Sequence, residues 1–261
     1  MTAEPNIPPV KPLATRPCAI VVGASSGSGA ALARLLAREG YLVALLALRD
    51  AALERLANQI NEEHGETRAL PFAHDVNNLI EIPTLFQTLL RDLKRLDLIV
   101  YAAGVMPAVA LDEYDLEKDQ ATLAVNLNGA VAWLGQAATL FSRMGAGQIV
   151  AFSSVAGDRG RVKNPAYNAA KAGLDAYLEG LRNRLTRKGV GVLTVKPGFV
   201  DTAMLAGVAR TFWVISPDQV AADIWRAIRR RRQLVYIPGR WRWLMLVIRN
   251  IPSVVFRRLS F

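Results

Sequence analysis

Short apolar runs alternate with longer stretches whose apolar positions recur every three or four residues, and the alternation continues from residue 18 to residue 237. Runs at 18–22, 41–47, 68–72, 97–102, 148–153, 190–196 and 233–237 have the length and continuous hydrophobicity of strands buried on both faces. Helices are predicted over 30–39, 51–61, 78–95 and 165–188. A longer helical region over 112–144 is interrupted at Asn126-Leu127-Asn128-Gly129, where an asparagine amide competes for backbone partners. Strand and helix in alternation predict an α/β fold, a single doubly wound parallel sheet of about seven strands with helices on both faces. At 261 residues the chain fits one such domain, placed at 18–239.

Both ends differ from this core. Residues 1–17 hold five prolines and no apolar run, so they read as a disordered or loosely attached arm and not as a signal peptide. The net charge of +10 lies wholly in residues 226–261, which carry ten arginines and no acidic residue, while the rest of the chain balances. Within the tail at 240–261, Trp241, Leu244, Met245 and Ile248 recur at helical spacing beside Arg242 and Arg249, and Pro252 stops the helix near Asn250. The longest apolar run there, 243–248, is six residues, against the roughly 18 to 20 needed to cross a bilayer. Tryptophans and arginines around an apolar stripe suit a helix lying on an anionic membrane surface. The alternative is a stripe packed on the protein's own core or on a partner subunit. Nucleic acid is not expected, because the aromatics are mixed with bulky aliphatics and not set along a polar groove.

Two stretches carry candidate chemistry. The strand at 18–22 leads into Gly23-Ala24-Ser25-Ser26-Gly27-Ser28-Gly29 and then a helix, a turn that lets backbone approach a pyrophosphate and offers it free amides. In Ser153 to Lys171, Tyr167 and Lys171 lie four residues apart, so on a helix the ammonium sits one turn from the phenol. Lowering a tyrosine from about 10 toward about 7 requires about 4 kcal/mol, which one desolvated cation and a second nearby positive charge would supply together. Ser153 and Ser154 close a predicted strand, at the sheet edge where open parallel sheets bind ligands. His64 and His74 have no partners at ligand spacing, so surface or supporting roles are expected and no metal site. Cys18 is the single cysteine, which excludes a disulfide within the chain and agrees with a reducing cytosol.

Together these stretches resemble the short-chain dehydrogenase/reductase family, whose glycine spacing matches Gly23, Gly27 and Gly29. Further matches are Asp75-Val76, Ala102-Ala103-Gly104, Asn126, the Ser154/Tyr167/Lys171 set, and Pro197-Gly198-Phe199-Val200-Asp201-Thr202, covering about residues 18 to 202. The resemblance implies a catalytic set of Asn126, Ser154, Tyr167 and Lys171. It implies cofactor contacts from Gly23, Ser25, Ser26, Gly27, Ser28, Gly29, Asp75, Val76, Ala102, Ala103, Gly104, Tyr167, Lys171, Pro197, Gly198, Val200 and Thr202, with Asp75 accepting from the adenine amine and Asn126 holding a water toward Lys171. No acidic residue stands at Ala47 or Leu48 to bind ribose hydroxyls, and Arg49 follows, so NADP(H) is expected ahead of NAD(H), Arg49 otherwise being a solvated charge.

Departures from the family pattern are Val22, Tyr101-Ala102 and Ser28, expected to alter packing and leave the chemistry intact. Small residues Ala169, Ala172, Gly173 and Ala176 on one helix, with the family resemblance, imply a homodimer or homotetramer. The tail and the segment SSVAGDRGR further resemble family members that reduce polyprenyl-phosphate-linked 2-keto-pentoses such as decaprenylphosphoryl-2-keto-ribose, partners of a flavoprotein oxidase in one epimerisation. That resemblance implies reduction of a lipid-linked ketone to a secondary alcohol on the cytoplasmic side of a membrane. Arg159, Arg161 and Lys163 would then reach a substrate phosphate, or else form a solvated loop. Met204, Leu205, Val208, Phe212, Trp213, Val214 and Ile215 would wall a prenyl chain or simply roof the core. A less specialised NADP-dependent carbonyl reductase or alcohol dehydrogenase, acting on a lipid or small ketone, is the alternative.

Overall fold

A computed structural model of the chain describes residues 16–206 and 211–259. The arm expected at 1–17 and the lid residue Val208 therefore lie largely or wholly outside the described residues. Strands β1 (Cys18–Val22), β2 (Leu42–Ala47), β3 (Ala69–Ala73), β4 (Leu98–Tyr101), β5 (Gln148–Phe152), β6 (Gly191–Pro197) and β7 (Leu234–Ile237) form one sheet in the order β3-β2-β1-β4-β5-β6-β7. Every pairing is parallel, with β1 meeting β2 and β4 so that Ile20 lies opposite Ala44 on one side and Ile99 on the other. The order reverses between β1 and β4, which opens a crevice at the carboxyl ends of those strands.

Period-two alternation sends each strand's side chains to two cores. Ala19 and Val21 of β1 pack with Leu32, Leu36, Leu53, Leu56 and Ile224 from α1 (Gly27–Arg38), α2 (Asp50–His64) and α7 (Pro217–Arg229). Cys18, Ile20 and Val22 face the other way, among Phe86, Leu89, Trp133, Phe141, Leu174 and Leu178 from α3 (Ile82–Leu93), α5 (Gly129–Met144) and α6 (Pro165–Leu185). Sequence reasoning did not delimit α7, although its start is legible: Pro217 occupies the first turn and the Ser216 hydroxyl accepts from the Gln219 amide at 3.2 Å. The interruption expected near Asn126 is a π-helical segment, Ala124–Asn128, between α4 (Leu116–Leu123) and α5.

The tail forms α8 (Trp241–Asn250) and a short turn of helix, α9 (Ser253–Phe256). Its predicted stripe does not face outward: Trp241, Met245 and Ile248 are buried with Val155 and Tyr236 in a third apolar cluster, and Leu244 packs partly buried against it. Spacing identifies an apolar face without saying what covers it, and here the core does. A different set, Trp243, Leu246 and Val247, is 67, 53 and 64 % exposed on the outward side. Among the described residues no helix is long and apolar enough to cross a membrane.

Candidate active site

The glycine turn after β1 is shaped by close backbone approach. Gly23 has φ of +91°, and a Cβ there would lie 2.3 Å from the Ala103 amide nitrogen; one on Gly29 would lie 2.1 Å from the Gly23 carbonyl oxygen. A Cβ on Gly27 would touch the Thr202 methyl at 3.0 Å. The turn is thereby interlocked with Ala102-Ala103 and with Thr202, which brings three separated stretches of the expected cofactor set together. Ser26 caps α1 in extended conformation without a side-chain hydrogen bond to the helix, leaving first-turn amides free. Ser28 is half-buried in that turn. Arg49 reaches back from the end of β2 and donates through Nη2 to the hydroxyls of Ser25 (3.0 Å) and Ser26 (2.8 Å). Arg34 and Arg55 line the same cleft as Ser25, Ser26 and Gly27. Sequence reasoning passed over both, because helical arginines read as solvated until the fold sets them beside the turn.

Along the crevice, Asp75 caps its own turn, its Oδ1 accepting from the Asn77 amide at 2.9 Å, and Val76 is buried. Tyr101 replaces the side chain usual in the resembled pattern, and its hydroxyl donates to the Val125 carbonyl at 2.6 Å, supplying a partner inside the π-helical segment. That segment buries Asn126, whose amide nitrogen donates to the carbonyls of Val105 (2.8 Å) and Thr122 (2.9 Å). Asn126 Oδ1 is buried and has no partner among the described residues. A Cβ on Gly104 would lie 2.8 Å from that oxygen and 3.7 Å from Lys171 Nζ, so Gly104, Asn126 and Lys171 converge.

Ser153 and Ser154 follow β5, and Ser154 caps a 3-10 turn, Val155–Asp158, through its hydroxyl, which accepts from the Ala156 amide at 3.1 Å. Asn164, with φ of +50°, turns the chain into Pro165 at the head of α6. Helix α6 then presents Tyr167 and Lys171 one turn apart, with the Ser154 hydroxyl near enough to Tyr167 to favour its phenolate. Lys171 Nζ donates to the Phe152 carbonyl at 2.8 Å and lies 5.6 Å from the centre of the Tyr167 ring. Burial lowers the Lys171 ammonium to about 8, opposed by Asp175. The lysine was expected to make the phenol more acidic. Instead burial raises Tyr167 above its ordinary value, partly offset by the nearby Ser154 hydroxyl and the Arg161 charge. The physical reason is that burial withdraws the phenolate from water while the ammonium is directed to a backbone carbonyl.

Sequence reasoning also missed what supports this loop. Lys196 of β6 pairs with Asp158 and, at 2.7 Å, with Asp175 of α6, while the Tyr236 hydroxyl donates to Asp158 at 3.0 Å. A lysine inside a predicted buried strand was the available signal. Of the three loop cations, Arg159 is turned to the tail: its Nη1 donates to the carbonyls of Ile248 (2.7 Å) and Ile251 (2.6 Å), and its guanidinium lies 3.8 Å from the Phe256 ring centre. Arg161 stays beside the Ser154 turn, and Lys163 is exposed.

Beyond β6, Val200 pairs with Ile215 and Thr202 donates to the Val200 carbonyl at 3.4 Å. Gly198, expected at the cofactor, sits under the tail: a Cβ there would lie 2.0 Å from Trp241 Nε1. Phe199, Phe212 and Trp213 surround the same indole. His74 is buried edge-on to Trp133, 5.4 Å between ring centres, so it is a packing residue and not a surface one. Among the described residues there is no cluster of side chains able to hold a metal ion. Gly173 packs on Leu127 inside the molecule and leaves the small-residue face, whereas Ala169, Ala172 and Ala176 remain exposed.

The family profile described as short chain dehydrogenase matches residues 17–211. The chain belongs to the short-chain dehydrogenase/reductase family. It is 35 % identical over 244 residues to an uncharacterised oxidoreductase of Streptomyces coelicolor, covering 92 % of this chain and 94 % of that one. It is 32 % identical over 242 residues to an uncharacterised oxidoreductase of Mycobacterium tuberculosis, covering 92 and 96 %. In fold it is similar to a short-chain dehydrogenase from Sphingobium yanoikuyae in complex with NADPH (TM-score 0.78, 24 % identity, 91 and 97 % covered). It is similar also to an actinorhodin polyketide ketoreductase variant with NADPH (TM-score 0.77, 24 % identity, 85 and 95 % covered). The protein is thus a short-chain oxidoreductase, and its crevice fits a dinucleotide: a glycine turn that side chains would fill, free helix amides, and an orphaned Asn126 oxygen beside Lys171.

Proposed function

We propose that this enzyme uses NADPH to reduce a ketone to a secondary alcohol, with Tyr167 as the proton donor. The observation that carries the reading is the placement of Tyr167 and Lys171 one turn apart on α6, Lys171 Nζ 5.6 Å from the Tyr167 ring centre, with Lys171 and the unpartnered Asn126 Oδ1 converging at Gly104. Arg49, held at the hydroxyls of Ser25 and Ser26, supports NADP(H) over NAD(H), since its guanidinium matches a 2′-phosphate and no carboxylate stands at Ala47 or Leu48. Both structural neighbours named above carry NADPH.

When bound, the reduced nicotinamide supplies the two electrons and the hydrogen that reach the ketone carbon. Tyr167, whose raised pKa keeps its hydroxyl protonated at neutral pH, gives a proton to the ketone oxygen. Ser154 donates to the same oxygen as negative charge develops there. Lys171 holds ribose hydroxyls, and Asn126 links it to solvent through the unpaired Oδ1. The remaining expected cofactor contacts, Asp75 to the adenine and Val76, Ala102, Ala103, Gly104, Pro197, Gly198, Val200 and Thr202 along the crevice, belong to the same proposal.

The substrate class we favour is a prenyl-phosphate-linked 2-keto-pentose met at a membrane surface, the ketone being produced by a flavoprotein oxidase. Support comes from the outward side of α8, where Trp243, Leu246 and Val247 stand among exposed Arg242 and Arg249, and from the exposed apolar side chains of Met204 and Phe212 after β6. A homodimer or homotetramer is part of the proposal, with Ala169, Ala172 and Ala176 as exposed small residues. The test is NADPH oxidation measured side by side on a prenyl-phosphate keto-pentose and on simple ketones. The carrier-linked ketone is expected to give the higher kcat/KM. Equal or better turnover of simple ketones supports the less specialised carbonyl reductase, and no turnover of any ketone overturns the reading.

A further inference from the structure

We infer that Lys196 is a positioning residue for ketone reduction, fixing Ser154 relative to Tyr167 by tying the turn that Ser154 begins to the face of α6. The inference rests on the reductase reading above and adds to it a residue from a third element.

Ser154 and Tyr167 stand on different elements, and the proposed chemistry needs both hydroxyls at one ketone oxygen. Strand β5 ends at Phe152, the Ser154 turn runs on to Asp158, and Tyr167 belongs to α6. Three contacts press the start and middle of that turn onto the helix at Lys171. The Ser153 hydroxyl donates to the Lys171 carbonyl at 3.3 Å, and Lys171 Nζ donates to the Phe152 carbonyl at 2.8 Å. A Cβ on Gly157 would lie 2.9 Å from the Lys171 carbonyl oxygen and 2.8 Å from Asp175 Oδ2. The end of the turn is held by Lys196. Its Nζ donates to Asp158 Oδ1 and lies 2.7 Å from Asp175 Oδ2, one turn of α6 beyond Lys171. Asp158 Oδ2 accepts from Tyr236, the residue opposite Lys196 in β7.

Alternation in β6 turns Lys196 to the side of Val192 and Thr194, toward α6, where an apolar residue would be expected. The side chains of Lys196 and Asp158 are only 8 and 1 % exposed. A buried ion cluster gives little net stability over apolar side chains of the same volume. Its contacts are directional, however, and the two carboxylates repel each other unless the cation joins them. A reacting group misplaced by about 1 Å costs about 100-fold in rate, so a brace on the serine turn acts on turnover.

The experiment is a mutant cycle. Ser154→Ala is introduced into wild type, into Lys196→Met, and into Lys196→Met combined with Asp158→Asn. The combined variant leaves Asp175 to balance Lys171 and keeps the fold where Lys196→Met alone loses it. NADPH oxidation is followed on whichever of a prenyl-phosphate 2-keto-pentose, cyclohexanone and dihydroxyacetone wild type reduces fastest, with nucleotide affinity from fluorescence titration. Both Lys196 backgrounds are expected to lower kcat by about 10- to 100-fold, with NADPH affinity within about twofold of wild type. Ser154→Ala should cost about 100-fold in wild type and less than about threefold in either background, since a displaced hydroxyl has little left to contribute. Lys196→Arg, which keeps the cation, should regain part of kcat and part of the dependence on Ser154. A purely structural role would lower the melting temperature and leave the Ser154→Ala factor intact. An undiminished factor, or wild-type kcat in the combined variant, overturns the inference and leaves the reductase reading standing. No turnover of any of the three ketones by wild type removes both.

Discussion

Lys171 combines full burial with a charge, and its pKa of about 8 sets a pH limit on the proposed reaction. The ammonium is the form present below that value, so the sign is fixed: ketone reduction should be level on the acid side and fall tenfold per pH unit as pH rises through about 8. Asp175 opposes the shift and Tyr167 keeps its proton throughout that range, so neither produces the break. The check is a kcat/KM profile from pH 6 to 10, and a flat profile would separate Lys171 from the reaction. Tyr167→Phe keeps the ring and removes the proton, and turnover should fall by about 100- to 10,000-fold with NADPH affinity nearly unchanged. Fluorescence titration of the nucleotide beside steady-state rates tests this. These residues were legible in the sequence because helical spacing alone puts Tyr167 and Lys171 on one face. Their ionisation was not, because burial decided it.

Secondary elements here are tied to one another through charges that no local pattern announces. Lys196 of β6 bridges the Ser154 turn and α6 through two carboxylates. Lys196→Met would leave Asp158 and Asp175 buried without a cation and should cost about 3 to 5 kcal/mol. Chemical denaturation measures that loss, and a variant as stable as wild type would show the network to be dispensable. Arg159 holds the carboxyl end of α8, where unpaired carbonyls and the helix dipole both favour a cation. Arg159→Ala should lower stability by about 1 to 3 kcal/mol and speed proteolysis after residue 240, read by thermal melting and limited digestion. The interruption near Asn126 was readable from the asparagine itself. Its π-helical form was not, since the Val125 carbonyl in that segment meets the Tyr101 hydroxyl from β4, 24 residues away in the chain.

For the molecule as a whole, the tail has two sides with different partners. One is buried with Val155 and Tyr236, so deleting the tail would strip a core, and point changes are the better probe of the proposed membrane contact. Exchanging Trp243, Leu246 and Val247 together for serine should abolish cosedimentation with anionic vesicles and leave the melting temperature near wild type. Wild-type binding should weaken as salt rises, because each arginine near the surface contributes about 1 kcal/mol that ions screen. Retained sedimentation of the triple variant would refute the contact. The seven-stranded parallel sheet, the glycine turn and the order of the site stretches were determined by the sequence alone, because strand and helix periodicity, glycine placement and short spacings act within a few residues. What covers α8, where Arg159, Arg161 and Lys196 direct their charges, and whether a buried group holds its proton were decided only by tertiary structure. Each depends on residues far apart in the chain meeting in a medium that water does not reach.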